Sequence, residues 1–224
     1  MSKSHGAKQQ KKLAKQKAKR AARRSELSAR SSSDPTVRLQ NAAKWPVVAA
    51  LVPEGLWIEG IGQLVIAREQ SDGNVVIGVY LVDVYCLGVK NAFWTAGTPG
   101  DFRRLIERIE ERETLRPVTP ECLAKIVRGA VDYAQSYGFA PHRDFRHAAL
   151  LLEGIDPDAC PQEFTYGRDG KPFYIRGPYE TLEAARVISE RIVEAGGDYI
   201  IPIPGPTTFG QLADVEDEED DPDE

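Results

Sequence analysis

The chain has 224 residues, with 29 basic and 34 acidic side chains and a formal net charge of −5. It contains no run of about 18 apolar residues, so the sequence predicts no membrane-spanning segment and no membrane partner. The basic N-terminus lacks the apolar stretch of about 7–15 residues that a secretory signal needs, so we expect no such signal.

The charge is concentrated at the two ends of the chain. Residues 1–30 hold eleven Lys or Arg and one acid, whereas residues 211–224 hold nine acids and no base. Blocks of like charge stay solvated and act as interaction tails. We therefore predict a basic disordered arm and linker over residues 1–35, one globular domain over 36–206, and an acidic disordered tail over 207–224.

The basic arm predicts a polyanionic partner, because phosphate neutralisation releases counterions and gives an affinity that depends on salt rather than on sequence. The charge alone does not separate RNA, DNA, the ribosome and anionic lipid, although lipid is the least expected because the arm has no apolar face to insert. RNA or the ribosome is expected ahead of DNA, and RNA-binding arms often fold on their targets. The arm residues predicted to contact nucleic acid are Lys8, Lys11, Lys12, Lys15, Lys17, Lys19, Arg20, Arg23 and Arg24.

The first part of the predicted domain combines a helix with a hairpin. Residues 36–51 are expected to form a short helix that Trp45-Pro46 interrupts. Two β-rich runs follow, 62–68 and 75–88, around an Asp-Gly turn, which is a hairpin signal. The second run is almost entirely apolar or aromatic, which predicts a strand buried on both faces at the centre of a sheet.

Helices are predicted next. After an N-cap at Thr98, one apolar face recurs at helical spacing on Phe102, Leu105, Ile106 and Ile109. A second helix is expected to begin at Thr119-Pro120 and to end at Gly138, and further helical turns are expected over residues 144–153.

The last part of the domain predicts a second hairpin over residues 163–176, a helix over 181–195 and an edge strand over 199–203. Strands in hairpins with helices grouped between them indicate the α+β class. We therefore predict a single α+β domain with two β-hairpins, a mostly antiparallel sheet, and amphipathic helices packed on that sheet.

Four basic side chains of the domain are predicted to add docking contacts to nucleic acid. Arg143 and Arg146 lie on a segment with two histidines, and Arg168 and Lys171 lie at the tip of the second hairpin among aromatic residues. The His-x4-His spacing of the first segment does not match a zinc site, so the sequence predicts no metal and no cofactor.

Asp83 is the one candidate catalytic residue, because an unpaired carboxylate inside an apolar strand is costly to bury. In one interpretation it pairs with a base such as Lys90 or with backbone donors. In the other it is the centre of a metal-dependent nuclease, in which partner acids would help to hold Mg²⁺. The acids available for that role are Asp144, Asp156 and Asp158.

The three cysteines, Cys86, Cys122 and Cys160, are odd in number and widely spaced, which predicts reduced thiols in a cytoplasmic protein. The acidic tail has three interpretations: it solubilises the protein, folds back on the arm in competition with nucleic acid, or binds a basic partner protein.

The leading prediction is a non-enzymatic, cytoplasmic protein that binds nucleic acid, with RNA or the ribosome as the partner. The first alternative is a metal-dependent nuclease or phosphodiesterase centred on Asp83. The second is a protein-interaction module whose charged tails recruit oppositely charged partners.

Overall fold

The structure is a computed structural model that describes Leu39 and residues 41–201. The predicted basic arm (1–35) and acidic tail (207–224) therefore lie outside the described residues. The helices of the described part are α1 (Leu56–Glu59), α2 (Pro99–Glu110), α3 (Pro120–Ser136), α4 (Phe145–Ala148) and α5 (Leu182–Glu194). Short 3₁₀ helices cover Ala42–Lys44, Ala149–Leu152 and Pro157–Ala159.

The strands of the described residues form two sheets. The larger is antiparallel throughout, with five strands in the order β4-β3-β2-β1-β5. A separate parallel pair joins β6 to β7. The strands are β1 (Val47–Pro53), β2 (Ile61–Glu69), β3 (Val75–Asp83), β4 (Gly88–Gly97), β5 (Leu115–Pro117), β6 (Phe173–Ile175) and β7 (Asp198–Ile200).

This architecture confirms the α+β prediction and the first hairpin, which is β2 paired with β3. Strand β3 lies between two neighbours and is buried along nearly its whole length, as its apolar sequence predicts. The predicted caps are also present. The side chains of Thr98 and Thr119 accept backbone hydrogen bonds at the starts of α2 and α3, and Thr181, which was not predicted as a cap, does the same at the start of α5.

The predicted helix over residues 36–51 is wrong in its second half, which is strand β1. The stretch from Val47 to Val52 is rich in β-branched residues, and it pairs with β2 on one side and β5 on the other. Pairing within the sheet outweighs the local helix signal here. In the described part of this region, Leu39 is helical and Ala42–Lys44 form a 3₁₀ turn.

The apolar run 75–88 is one strand followed by a tight turn, and not a single long strand. The chain reverses after Asp83 and returns as β4, a strand that the sequence did not reveal. Gly88 begins β4 with φ +66°, and a Cβ there would lie 2.8 Å from the Ala130 carbonyl oxygen. The glycine therefore permits both the left-handed backbone and the close approach of β4 to α3.

The second predicted hairpin is much shorter than expected. Its turn is present, with Asp169 at φ 54° and one antiparallel bridge between Arg168 and Lys171. Beyond the turn, β6 does not pair back onto residues 163–166. It pairs in parallel with β7, which follows α5 in the sequence.

Helices cover both faces of the large sheet. One face packs against α3, α4 and the 3₁₀ helix after α4, around residues such as Leu64, Tyr80 and Leu123. The other face packs against α2, with Val65, Ile77 and Ile109 in contact. This is the layered arrangement expected for an antiparallel sheet whose strands are apolar on both sides.

A buried arginine on β2 hydrogen-bonds to two segments that lie far apart in the sequence. Arg68, on β2, is 3% exposed and donates hydrogen bonds to four backbone carbonyls. Its Nε bonds to the Leu151 oxygen at 2.8 Å, and its terminal nitrogens bond to the oxygens of Ala43, Trp45 and Glu153. One side chain thereby fixes the segment before β1 and the segment after α4 to the sheet.

Candidate nucleic-acid interface

Strand β4 is the edge of the large sheet, and a helix lies over each of its faces. Helix α2 packs on one face of β3 and β4, and α4 packs on the other face of the same two strands. The backbone N–H of His142 donates to the Val89 oxygen at 2.9 Å, which fixes the segment before α4 to β4. We call the surface formed by β4, α2 and α4 the β4 rim.

On the α2 side, the β4 rim contains a groove of about 1320 Å³ between the helix and the sheet. Arg104 and Arg108, one helical turn apart, line it together with Arg112 just past the helix end. Spacing of four residues places Arg104 and Arg108 on one face of the helix, and Arg112 follows them at the same groove. We call these three residues the arginine row. Guanidinium groups are well suited to contact phosphate oxygens.

The opposite wall of the groove is strand β4, and it presents an aromatic ring. Phe93 lies on the α2 face of the strand, opposite Val79 of β3, and its side chain is 44% exposed. A large apolar ring on a sheet surface beside arginines is the combination that holds single-stranded nucleic acid by stacking and charge.

The charge of the groove is mixed. Asp101, which also forms a capping box with Thr98, forms an ion pair with Arg104. Two further acids, Glu107 and Glu111, line the same groove. Since residues 31–210 hold 18 bases and 24 acids, any positive potential of the domain is local. The three arginines and three acids of the groove cancel in formal charge, so an anion held there would need additional cations.

On the α4 side of the rim, Arg143 and Arg146 are both exposed. The Arg143 Nε lies 3.8 Å from the Asp144 carboxylate, a long and solvent-exposed contact that leaves most of its charge available. The two arginines predicted from the sequence thus flank β4 from one face, while the unpredicted row on α2 flanks it from the other.

The other two predicted docking residues lie elsewhere. Arg168 places its guanidinium over the Phe173 ring, 4.7 Å from the centroid, and Lys171 closes the same turn. That turn packs on the β3–β4 connection, where the N–H of Gly167 donates to the Val84 oxygen. Among the described residues, no hydrogen bond or ion pair joins this turn to the β4 rim.

Asp83, the candidate catalytic residue, holds the turn between β3 and β4. Its Oδ1 accepts hydrogen bonds from the backbone N–H groups of Tyr85 and Cys86, each at 2.9 Å. Burial raises the pKa of this carboxyl, and these donors together with the Lys90 charge oppose the rise only in part. Within the part of the chain that the structure describes, no group of three or more His, Cys, Asp or Glu is arranged to hold a metal ion.

Lys90, considered as a partner for Asp83, forms its ion pair with Glu180 instead, at 2.6 Å. Glu180 also accepts hydrogen bonds from the Tyr174 hydroxyl and the Gly177 N–H. Burial opposes ionisation of Glu180, but these three donors outweigh it and hold its pKa below the usual value. The network attaches the loop before α5 to strand β4 and leaves the carboxylate well satisfied.

The prediction of three reduced thiols is wrong for two of them. Cys122, at the start of α3, and Cys160 form a disulfide with their Cα atoms 4.9 Å apart. Only the buried Cys86 is free among the described cysteines. Burial, with the Asp83 carboxylate beside it, raises the pKa of the Cys86 thiol far above its ordinary value, which disfavours the thiolate form that reacts as a nucleophile.

The sequence therefore did not predict the groove on the α2 side of the β4 rim. The spacing of Arg104, Arg108 and Arg112 was visible, but the acids between them made the helix face appear uniformly mixed. Phe93 was overlooked because β4 itself was not predicted. The nine arm residues predicted between Lys8 and Arg24 lie outside the described residues.

Comparison with known proteins finds no family model that matches this chain, no curated protein significantly similar to it, and no matching solved structure. In the described residues, no helix is both long and apolar enough to cross a membrane. The function must therefore be inferred from the residues of the site.

Proposed function

We propose that this protein binds single-stranded RNA, free or in a ribosomal context, without acting on it chemically. The observation that carries this function is the β4 rim, where arginines on α2 and α4 flank an edge strand that exposes Phe93. Arginine and an exposed aromatic ring supply the two contacts that sequence-tolerant single-strand binding requires, which are charge on the phosphates and stacking on the bases.

The basic arm and the rim have different tasks in this mechanism. The arm, with its excess of ten positive charges over residues 1–30, supplies long-range attraction and phosphate contacts that are independent of sequence. The rim determines where the RNA lies on the domain, because Phe93 and the arginine row are carried by the sheet and by α2. The mixed charge of the groove explains why the arm is needed.

The proposed location is the cytoplasm, where RNA and ribosomes are available. In that reducing compartment the Cys122–Cys160 disulfide would be in equilibrium with its dithiol. The acidic tail, with nine acids in residues 211–224, would either compete with RNA for the arm or bind a basic ribosomal partner.

A protein-interaction module is the second candidate, and one observation favours it. Of the eleven large apolar side chains exposed in the described residues, seven lie between residues 175 and 200. They lie on α5, on the β6–β7 pair and in the loop before α5, and are Ile175, Tyr179, Leu182, Val187, Val193, Tyr199 and Ile200. Concentrated apolar exposure is a feature of interaction surfaces.

Replacement of Arg108 and Arg112 by glutamine is expected to weaken RNA binding and to lower its salt dependence. Each phosphate contact to a single strand contributes about 0.7 to the slope of log K against log salt, so the double variant should lose about 1.4. The measurement is fluorescence anisotropy of a labelled oligouridine across a salt series, with gel analysis of the recovered RNA.

The matched control is Lys44→Gln with Arg186→Gln, which removes the same charge at exposed positions outside the groove. A third variant, Phe93→Leu, should cost about 1–3 kcal/mol of binding free energy with an unchanged salt slope, because it removes stacking only. Equal binding by the groove variant and its control would refute a role for the rim. Cleavage of the oligonucleotide would favour the nuclease alternative.

A further inference from the structure

A second concave site lies at the opposite edge of the large sheet from the β4 rim. It is a pocket of about 560 Å³ formed by α1, strand β5 and residues 162–169. We call it the Trp57 pocket. Neither the RNA contacts proposed above nor the buried networks use its side chains.

The apolar wall of the pocket is a pair of stacked aromatic rings. The rings of Trp57 and Phe164 lie 5.4 Å apart between centroids and only 7° from parallel, and both line the pocket. Tyr166 meets Trp57 edge-on, and its hydroxyl lies 3.1 Å from the oxygens of Lys125 and Ile126 on α3. The pair is thus held in place and offers half-buried ring surface to a planar ligand.

This wall is also fixed covalently. The Cys122–Cys160 disulfide joins the start of α3 to the segment that carries Phe164, and the Lys125 ammonium donates to the Cys160 oxygen at 3.3 Å. A preformed site loses less conformational entropy when a ligand binds than a mobile one does.

One cationic side chain that lines the pocket is unpaired within the described part of the chain. Arg116 is half-buried on β5, where its backbone pairs with β1, and its guanidinium makes no hydrogen bond, ion pair or ring contact with another residue that the structure describes. The nearby Glu163 is already paired with Lys125, at 2.7 Å. A half-buried guanidinium beside aromatic rings is complementary to a ligand that combines an anion with a planar ring.

The rest of the lining supplies polar groups of the kinds that such a ligand needs. Gln162 carries amide donors and an acceptor, and Thr165 carries a hydroxyl. Asp169 sits at the pocket lip on the tight turn that its φ of 54° helps to form. A carboxylate there can accept hydrogen bonds from the hydroxyls of a sugar.

We propose that the Trp57 pocket binds a nucleotide unit, with the base against the Trp57–Phe164 pair and the phosphate on Arg116. The same chemistry is present in a free mononucleotide and in one residue of an RNA strand. Only binding of the strand form rests on the RNA-binding function proposed above. Binding of a mononucleotide stands independently of the β4 rim.

The test is isothermal titration of the full chain with AMP, adenosine and ribose 5-phosphate. AMP should bind saturably, adenosine should bind about tenfold more weakly, and ribose 5-phosphate should show no saturable binding. Arg116→Gln should reduce AMP affinity about tenfold, to the level of adenosine, because it removes one charge-assisted contact. The same variant should leave adenosine binding unchanged, which also shows that the pocket is still folded.

Arg186→Gln is the matched control, since Arg186 is exposed on α5 and is not part of the pocket lining. It should bind AMP as the parent does. The Arg108→Gln/Arg112→Gln variant should also bind AMP normally, which separates this site from the rim. If AMP does not bind, or binds equally to the parent and Arg116→Gln, the assignment is wrong.

The two sources of the ligand are distinguished by competition. If the pocket holds one residue of a strand, an oligoadenylate should displace bound AMP at a lower concentration, counted in nucleotide units, than added AMP does. The Arg116→Gln substitution should remove this difference between the two competitors. If the natural ligand is free, AMP and oligoadenylate should compete equally per unit. Failure of both to bind overturns the site.

Discussion

Replacement of Arg68 by methionine should lower the free energy of unfolding by about 3–5 kcal/mol, because four backbone carbonyl oxygens lose a charge-assisted hydrogen bond at once. Methionine fills much of the same volume but leaves four backbone carbonyls without their donor. Each unsatisfied buried acceptor costs about 1–3 kcal/mol, although water entering the site offsets part of the sum.

The measurement is urea denaturation at neutral pH, followed by circular dichroism. Arg68→Lys should recover little of the loss, because an ammonium has three donors and lacks the planar fork that reaches separate carbonyls. Arg186→Met, at an exposed position on α5, is the control and should change stability by less than about 0.5 kcal/mol. A loss below about 1 kcal/mol for Arg68→Met would contradict the fastening role.

Reduction of the Cys122–Cys160 disulfide should destabilise the protein by about 2–4 kcal/mol. The two cysteines are 38 residues apart in the chain, so the cross-link removes considerable entropy from the unfolded state. Thermal unfolding with and without dithiothreitol measures the effect. The Cys122→Ser/Cys160→Ser variant should unfold like the reduced parent and should not respond to the reductant.

Thiol counting under denaturing conditions is the companion measurement. The unreduced protein should show one reactive thiol, Cys86, and the reduced protein should show three. Three thiols before reduction, or a melting temperature that does not respond to reductant, would contradict the disulfide. Because the bond anchors the Phe164 segment, reduction should also weaken nucleotide binding in the Trp57 pocket.

The sequence predicted those elements whose local signals agree with their tertiary environment. The Thr98 and Thr119 caps, the apolar face of α2 and the doubly buried β3 all follow from short-range patterns. Strand β1 was predicted as a helix because its identity depends on pairing with β2 and β5, which are distant along the chain.

Strand β4 was not predicted, for a related reason. Its start is hidden in one continuous apolar run, and the turn that separates it from β3 depends on the buried Asp83 carboxylate. A carboxylate that caps a turn and a carboxylate that holds a metal ion look the same in a sequence. The interpretation of Asp83 therefore needed its hydrogen-bond partners.

The candidate sites were predicted only in part. Arg143 and Arg146 lie at the β4 rim, but their counterparts Arg108 and Arg112 become significant only once α2 is placed over the edge strand. The partnership of Cys122 with Cys160 leaves no spacing signature, and the stacking of Trp57 on Phe164 joins residues 107 positions apart. Long-range proximity of this kind is a property of the fold.

The central claim, that the β4 rim contacts RNA, is tested most directly by ultraviolet cross-linking of the full chain to oligouridine, with the cross-linked peptides identified by mass spectrometry. The prediction is that cross-links form at the β4 peptide containing Phe93 as well as in the basic arm, and that the β4 cross-link disappears in the Arg108→Gln/Arg112→Gln variant. Cross-links confined to the arm would contradict the claim and would leave the folded domain without a role in RNA binding.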